Sequence, residues 1–267
     1  ELTKDNLVEI LKNPNNPIIL SKKRDFMAYD INIQFEDNAL EKLSEMAAQE
    51  KTGARGLVSA VERTLMPFEK HLPSTNIEKL LVTPELVENP EQELKRIDSD
   101  EDKNDPTMEK RFEKAAATEK KRVKNIIAKR AQEFEAQSGL KLYEDRIDLI
   151  ADQALKSISD IDSAFIDFKE MYNQVKNQNE GLFSHLGINV SLADSAIDEI
   201  IRIAIDQDRD ISEICLSFVN ELEYGLKLVR DRMGSDAFSI TREAILDPEK
   251  YIDSLIKKYY SQDPAIS

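Results

Sequence analysis

The residues best suited to chemistry lie in the stretch KTGARGL, residues 51–57, where a loop is expected to turn into a helix. Gly53 lets the backbone bend tightly, and Thr52 is placed to cap the helix by accepting hydrogen bonds from its first N–H groups. Arg55 stands in the first turn, where free N–H groups and the helix dipole favour an anion. Its guanidinium adds a planar fork of donors, so the stretch predicts a phosphate contact. The alternative is an arginine that is only solvated.

The rest of a nucleotide site is missing from the sequence. The chain has no G-x-x-x-x-G-K-[ST] loop and no Walker-B-like apolar strand that ends in paired acids. We therefore expect no catalytic residue and no ATP turnover in this chain. The acid pairs Asp160/Asp162 and Asp206/Asp208 stand in loop-like stretches without a complete ligand pattern, so no metal site is expected.

The composition favours a helical protein that does not bind nucleic acid. Of the 267 residues, 40% are hydrophobic and only 7 are glycine, which favours helices with aliphatic cores. The formal charge is −15, without a basic stripe interleaved with aromatic residues, which argues against DNA or RNA. Cys215 is the only cysteine and lies in an apolar helical pattern, so it is expected in a core. Without a membrane-spanning run or a signal peptide, the expected location is the cytoplasm.

The helix that carries Arg55 must pack its opposite face inward. Four apolar residues recur at helical spacing and define that face: Leu57, Val61, Leu65 and Phe68. Pro67 lies inside the same pattern, where it removes one backbone hydrogen bond. We therefore expect the helix to be kinked or shortened at its end.

Around this helix the sequence predicts further helices and two short strands. Thr3 is expected to cap the first helix, with Leu2 and Leu7 as a hydrophobic staple, and Asp37 is expected to cap the third. The alternation of residues 31–35 predicts a half-buried strand. In order, the predicted elements are helix 3–13, helix 17–28, strand 31–35, a helix from residue 37, the Arg55 helix and strand 80–82.

Three stretches, residues 2–14, 51–57 and 72–82, resemble in order the C-terminal small domain of ClpX, an AAA+ protein unfoldase of the Clp/Hsp100 family. The resemblance implies that Gly53, Ala54 and Arg55 form the sensor-2 motif. The arginine of that motif reaches the phosphates of ATP, bound with Mg²⁺ by a preceding AAA+ large domain. It also implies neighbouring subunits of a homo-oligomeric ring, and protein substrates or a protease as partners.

The composition predicts four segments. Residues 1–88 form the small domain, and residues 89–105, which are acidic and contain few large apolar side chains, form a solvated linker. Residues 106–182 contain a long charged helix, which ends near Gln137, and a helical module. Residues 183–260 form a degenerate second copy of the small domain. The fold class is therefore α+β and predominantly helical.

The second copy rests on an internal repeat. Residues 31–35 correspond to residues 188–192, an offset of 157 (188 minus 31), and Leu57 then meets Ile214. After one extra residue, residues 238–241 are expected to form the closing strand. Arg55 corresponds to Ser212 in an acidic loop that repels phosphate.

The segment between the two copies has two interpretations. Residues 140–175 are either a partial third copy, which begins with a strand at residues 140–142, or an ordinary helical bundle. The sequence does not decide between them.

Two functions remain open. The chain is either the C-terminal fragment of an unfoldase, cut from its catalytic half, or a non-catalytic scaffold that binds partner proteins through its acidic second half. A P-loop encoded upstream of Glu1 would favour the first hypothesis.

Overall fold

The computed structural model describes residues 3–99, 106–183, 187–234 and 237–262. The chain divides into two compact units, Glu1–Ala131 with Ser157–Ser163 and Gln132–Lys156 with Ala164–Ser267. Each unit packs helices around a two-stranded parallel sheet, which confirms the α+β, predominantly helical fold. The division after Ala131 differs from the boundary predicted at residues 89–105. Within the described ranges, every helix is too short or too polar to cross a membrane.

The first unit contains seven main helices and two strands in its described residues. They are α1 (Lys4–Lys12), α2 (Pro17–Met27), β1 (Asn32–Phe35), α3 (Asp37–Gln49), α4 (Ala54–His71), β2 (Lys79–Val82), α5 (Pro84–Glu88), α6 (Pro90–Asp98) and α7 (Pro106–Lys129), with a short 3-10 turn at Leu72–Ser74. Leu2, half of the predicted staple, lies outside the described residues.

Two helix starts in this unit test the predicted caps. The Thr3 hydroxyl accepts a hydrogen bond from the Asn6 N–H at 3.3 Å, and the Asn6 side chain accepts one from the Thr3 N–H at 3.1 Å, which confirms this cap. The Asp37 prediction is wrong, because Glu36 is the N-cap of α3 and makes no side-chain cap bond. The Asp37 carboxylate instead lies 2.6 Å from Arg122, and a cation is a stronger partner for it than a backbone N–H.

The inward face of α4 is buried as predicted. Leu57, Val61, Leu65 and Phe68 are each at most 1% exposed. Pro67 does not shorten α4, which continues to His71, so that part of the prediction is wrong. A proline in a helix interior costs about 3 kcal/mol. Complete burial of Phe68 and Leu72 contributes roughly 2 kcal/mol each, which is enough to keep the last turn in place.

The predicted linker is largely a helix. Residues 90–98 form α6, and Leu94 and Ile97 pack against the core of the first unit. His71 Nε2 also lies 3.0 Å from the Asp98 carboxylate. The linker prediction is therefore wrong for these residues, because two apolar side chains three apart suffice to dock a charged helix. Residues 100–105 lie outside the described ranges.

Helix α7 lies across the sheet of the first unit. Phe112 and Ala115 pack against Leu81 of β2, and Arg111 forms two hydrogen bonds to the Glu36 carboxylate, at 2.7 and 2.8 Å. The long helix predicted to reach Gln137 ends at Lys129 instead. A separate helix follows after a one-residue break.

The second unit repeats the order of elements of the first. Its described elements are α8 (Ala131–Ser138), α9 (Glu144–Ser157), α10 (Ile161–Leu182), β3 (Asn189–Leu192), α11 (Asp194–Gln207), α12 (Ile211–Met233), β4 (Ala237–Ile240), α13 (Arg242–Leu246) and α14 (Pro248–Gln262). β3 and β4 pair in parallel, as β1 and β2 do, which confirms the predicted second sheet. Both units read helix, helix, strand, helix, helix, strand, short helix, helix from α1 and α9 onwards.

This order settles the segment between the copies. Helices α9 and α10 stand in the second unit's order of elements where α1 and α2 stand in the first. No strand forms at residues 140–142, and the interpretation as a partial third copy is therefore wrong.

The buried positions locate the extra residue of the repeat. Leu40 and Leu43 of α3 match the buried Ile197 and Ile200 of α11 at the offset of 157. From α4 onwards the offset is 158, and the buried Leu57 matches the buried Cys215. The predicted pairing of Leu57 with Ile214 is thus wrong by one position for the buried face, although the two helices begin at Ala54 and Ile211, which still keep the offset of 157.

A buried arginine ties α9 to α11 in the second unit. The Arg146 side chain is fully buried, and its Nε lies 2.8 Å from Asp198 and its Nη2 3.0 Å from Asp194. Its Nη1 donates to the Lys141 carbonyl at 3.0 Å, and the Tyr172 hydroxyl donates to Asp194 at 2.7 Å. Burial raises the pKa of the Asp198 carboxyl, and Arg146 offsets this only in part.

Candidate functional site

The start of α4 is built on two residues with left-handed backbone. Lys51 has φ +51°, and Gly53, the N-cap, has φ +63° and ψ −136°. A side chain is strongly disfavoured at the Gly53 conformation, so the predicted need for glycine here is confirmed. The predicted role of Thr52 is wrong, because Gly53 holds the cap position and no side chain caps the helix. The Gly56 N–H donates to the Gly53 carbonyl at 3.0 Å, so the N–H groups of Ala54 and Arg55 are left for another acceptor.

Gly56 is required for a different reason, which the sequence reasoning missed. A Cβ at this position would lie 2.8 Å from the Ala47 carbonyl oxygen and 3.0 Å from the Thr52 hydroxyl. Only a glycine allows the first turn of α4 to approach the end of α3 so closely. The signal was present in the sequence, because glycine inside an expected helix is unfavourable unless close packing demands it.

Arg55 projects from this turn into solvent. Its side chain is exposed, and no carboxylate of the described residues forms an ion pair with it. The neighbouring cation Lys51 is exposed as well, whereas Arg63, two turns further along α4, pairs with Glu50 at 2.9 Å. The guanidinium and the uncapped helix start thus form a positive, open surface that suits a phosphate group. Gly53 is the N-cap of this helix, and Ala54 and Arg55 are its first two residues.

The equivalent helix start in the second unit is closed. Asp210 is the N-cap of α12, and its carboxylate accepts a hydrogen bond from the Ser212 N–H at 2.7 Å. Hydrogen bonds from the Ser212 side chain and backbone lower the pKa of Asp210, so a negative charge occupies this position. Arg55 corresponds to Ser212 when α4 and α12 are aligned by their N-cap residues. It corresponds to Glu213 when the two helices are aligned by their buried residues. Neither residue could attract phosphate.

The other candidate residues have structural roles. Cys215 is 1% exposed, and burial raises the pKa of its thiol to about 11, so it is a core residue as predicted. Asp160 accepts a hydrogen bond from the Ser163 N–H at 3.0 Å, Asp162 pairs with Arg130, and Asp208 pairs with Lys156. Across the described ranges, no three acidic, His or Cys side chains come together to hold a metal ion. His185 lies outside those ranges.

A known domain family matches the part of the chain that contains Arg55. Residues 2–70 match the family model of the C-terminal, D2-small domain of ClpB protein. The matched residues include α1, α2, β1, α3 and the uncapped start of α4. The match names ClpB, so it agrees with the resemblance to ClpX only at the level of their common group. It supports a small domain of the Clp/Hsp100 group of AAA+ proteins in this part of the chain.

Proposed function

We propose that this chain is the C-terminal part of an ATP-driven protein unfoldase of the Clp/Hsp100 group, and that Arg55 is its sensor-2 residue. In this role Arg55 contacts the phosphates of ATP held by a large domain. The observation that carries the proposal is the open start of α4, where an exposed arginine without an ion-pair partner stands beside uncapped N–H groups. The match of residues 2–70 supports it, while the finer assignment to a ClpX-like protein rests on the resemblance of three stretches.

The chain's own residues would act by binding and orientation. ATP with Mg²⁺ would supply the phosphoanhydride bond that is broken. The fork of Arg55 can donate to two phosphate oxygens, and the helix start adds its positive dipole. Gly56 lets this turn lie directly against α3, so a pull on Arg55 is transmitted to the core of the first unit. The small domain would thereby move with the state of the nucleotide and couple ATP turnover to neighbouring subunits and to protein substrates.

Replacing Arg55 in the full-length parent tests this role. Arg55→Ala should lower ATP turnover by tenfold or more, since an arginine that stabilises transferring phosphate can contribute orders of magnitude. Arg55→Lys keeps the charge without the planar fork and should restore only part of the rate. Lys70→Ala is the matched control, because Lys70 is an exposed cation in the last turn of the same helix. Equal turnover in the Arg55→Ala and Lys70→Ala parents would refute the assigned role.

The isolated chain supplies a second readout. It should neither release phosphate from ATP nor bind ATP with micromolar affinity, because the sequence contains no P-loop. Calorimetry and a phosphate-release assay would measure both properties. Micromolar binding would show that the site is complete without a large domain.

The second candidate function is a scaffold that binds proteins through the second unit. The closed start of α12 favours it, because this unit has kept the fold and replaced the phosphate-seeking arginine. A parent sequence without a P-loop upstream of Glu1 would leave the scaffold as the better description of the whole protein.

A further inference from the structure

Helices α4 and α12 expose matching faces. At the offset of 158 that aligns their buried residues, the exposed positions also coincide. The α4 face consists of Arg55, Val58, Ser59, Glu62, Arg63 and Met66, and the α12 face of Glu213, Leu216, Ser217, Asn220, Glu221 and Tyr224.

Each face carries two large apolar side chains, eight residues apart. Val58 is 39% exposed and Met66 46%, and their counterparts Leu216 and Tyr224 are 54% and 79% exposed. Eight residues are a little over two helical turns, so the two side chains of a pair lie on the same side of the helix. The opposite side of each helix already fills the core of its unit, so neither face can turn inward. A single exposed apolar residue is ordinary, but the same pair in both copies of a repeat is not expected by chance.

The charges between the apolar residues are inverted from one face to the other. Arg55 corresponds to Glu213 and Arg63 to Glu221, while Glu62 corresponds to the neutral Asn220. Together the ionic groups give the α4 face a charge of about +1 and the α12 face about −2 at neutral pH. Arg63 pairs with Glu50 at 2.9 Å, but its side chain is still 59% exposed. The two faces thus have similar apolar patterns and opposite charges, which is the complementarity of surfaces that bind each other.

We propose that the α4 face of one molecule binds the α12 face of a second copy of this chain, head to tail. Such a contact joins two different surfaces, so a joined pair keeps one free face of each kind, which can extend a ring or a filament. Two helix faces bury less than the roughly 1,600 Å² of a standard interface, so the isolated chain should associate weakly. If other contacts already hold two chains together in an assembly, the effective concentration of the two faces for each other is higher. The Arg55 side chain belongs both to this face and to the proposed phosphate site, so self-association through this end of the face would compete with the phosphate contact of the proposed function.

Mixing two variants tests the pairing directly. Val58→Ser/Met66→Ser removes the apolar residues of the α4 face, and Leu216→Ser/Tyr224→Ser removes those of the α12 face. Sedimentation velocity over a range of concentrations should show association of the unaltered chain and monomers for each variant alone. An equimolar mixture should form dimers and nothing larger, because it contains one intact face of each kind. The control variant Tyr29→Ser/Ile166→Ser removes exposed apolar residues outside both faces and should associate like the unaltered chain.

Charge reversal supplies an independent readout. Arg63→Glu and Glu221→Arg should each weaken self-association by about tenfold, and the two changes in one chain should restore most of it. Circular dichroism would verify that each variant is folded. An unaltered chain that stays monomeric at every concentration would overturn the proposal. So would a variant with only one intact kind of face that dimerises by itself, or a double charge reversal that fails to recover.

Discussion

Replacing Arg146 by methionine should destabilise the second unit more than any surface change. The side chain is fully buried and makes charged contacts with Asp198 and Asp194, as well as a hydrogen bond to the Lys141 carbonyl. Burial lowers the pKa of the Arg146 guanidinium. Its hydrogen bonds to Asp198 and its attraction to both acids raise this pKa by a larger amount, so the side chain stays charged. Methionine fills similar volume, so the main effect is the loss of the charge and its donors.

The expected loss of stability comes from the Asp198 carboxylate, which stays buried after its partner is removed. The Asp198 side chain is only 14% exposed, and removing its partner leaves a buried charge without compensation, which typically costs about 3–5 kcal/mol. At several degrees per kcal/mol, the midpoint of thermal unfolding should fall by about 10 °C or more. Urea unfolding followed by circular dichroism would measure the change in free energy. Lys156→Met is the control, because its partner Asp208 is 91% exposed and such a pair contributes at most about 1 kcal/mol.

The pH dependence and a second substitution isolate the buried carboxylate. Without Arg146, burial should hold the pKa of Asp198 above its value in the unfolded chain. The folded state then binds this proton more tightly, so the deficit of Arg146→Met should be small below the unfolded pKa and grow as pH rises through the folded one. Arg146→Met/Asp198→Leu should recover stability at neutral pH relative to Arg146→Met. A loss of less than 1 kcal/mol, or a double variant no more stable than Arg146→Met, would refute the reasoning.

Two further predictions concern single side chains. Gly56→Ala gains about 1 kcal/mol of helix propensity but forces a Cβ to 2.8 Å from the Ala47 carbonyl oxygen, at a cost of about 1–3 kcal/mol, so chemical denaturation should show a net loss of stability. A more stable variant would show that the two helices can separate freely. Burial and the hydrogen bond to Asp194 raise the pKa of Tyr172 to about 12, so the folded state holds this proton more tightly than the unfolded chain. Stability should therefore fall between about pH 10 and 12, and Tyr172→Phe should flatten this fall in urea titrations at a series of pH values; equal slopes would contradict it.

The sequence was most informative where one side of an element is buried. The face of α4 and the strand at residues 31–35 follow from apolar periodicity alone, and the α4 face and the apolar residues Ile31, Ile33 and Phe35 are buried in the structure. The repeat was found for the same reason, since residues 188–192 preserve the strand pattern and form β3. Burial restricts residue types strongly, and that restriction is visible in a single sequence.

Charged segments were predicted less well. Residues 90–98 contain too many acids to suggest packing, yet Leu94 and Ile97 dock them on the core. Asp37 has the residue type of an N-cap, but Arg122, which lies 85 residues further along, binds its carboxylate. Such partners come from distant parts of the chain, so local spacing cannot reveal them. The start of α4 is open because no side chain caps it, and the residue types alone did not predict this.

The two units share an order of elements, so their buried positions can be compared. The buried positions of α3 and α11 agree at one offset and those of α4 and α12 at the next, so the extra residue lies between the buried faces of α11 and α12. The loops before α4 and α12 differ in chemistry. Gly53 leaves the start of α4 without a side-chain cap, and the Asp210 side chain caps α12. Compared with an aspartate cap, a glycine at the N-cap costs only about a few tenths of a kcal/mol, so the two helix starts differ in chemistry more than in stability. At the offset of 158, the second unit carries Glu213 and Glu221 where the first carries Arg55 and Arg63. Acidic side chains at these positions suit a surface that binds proteins better than one that binds phosphate.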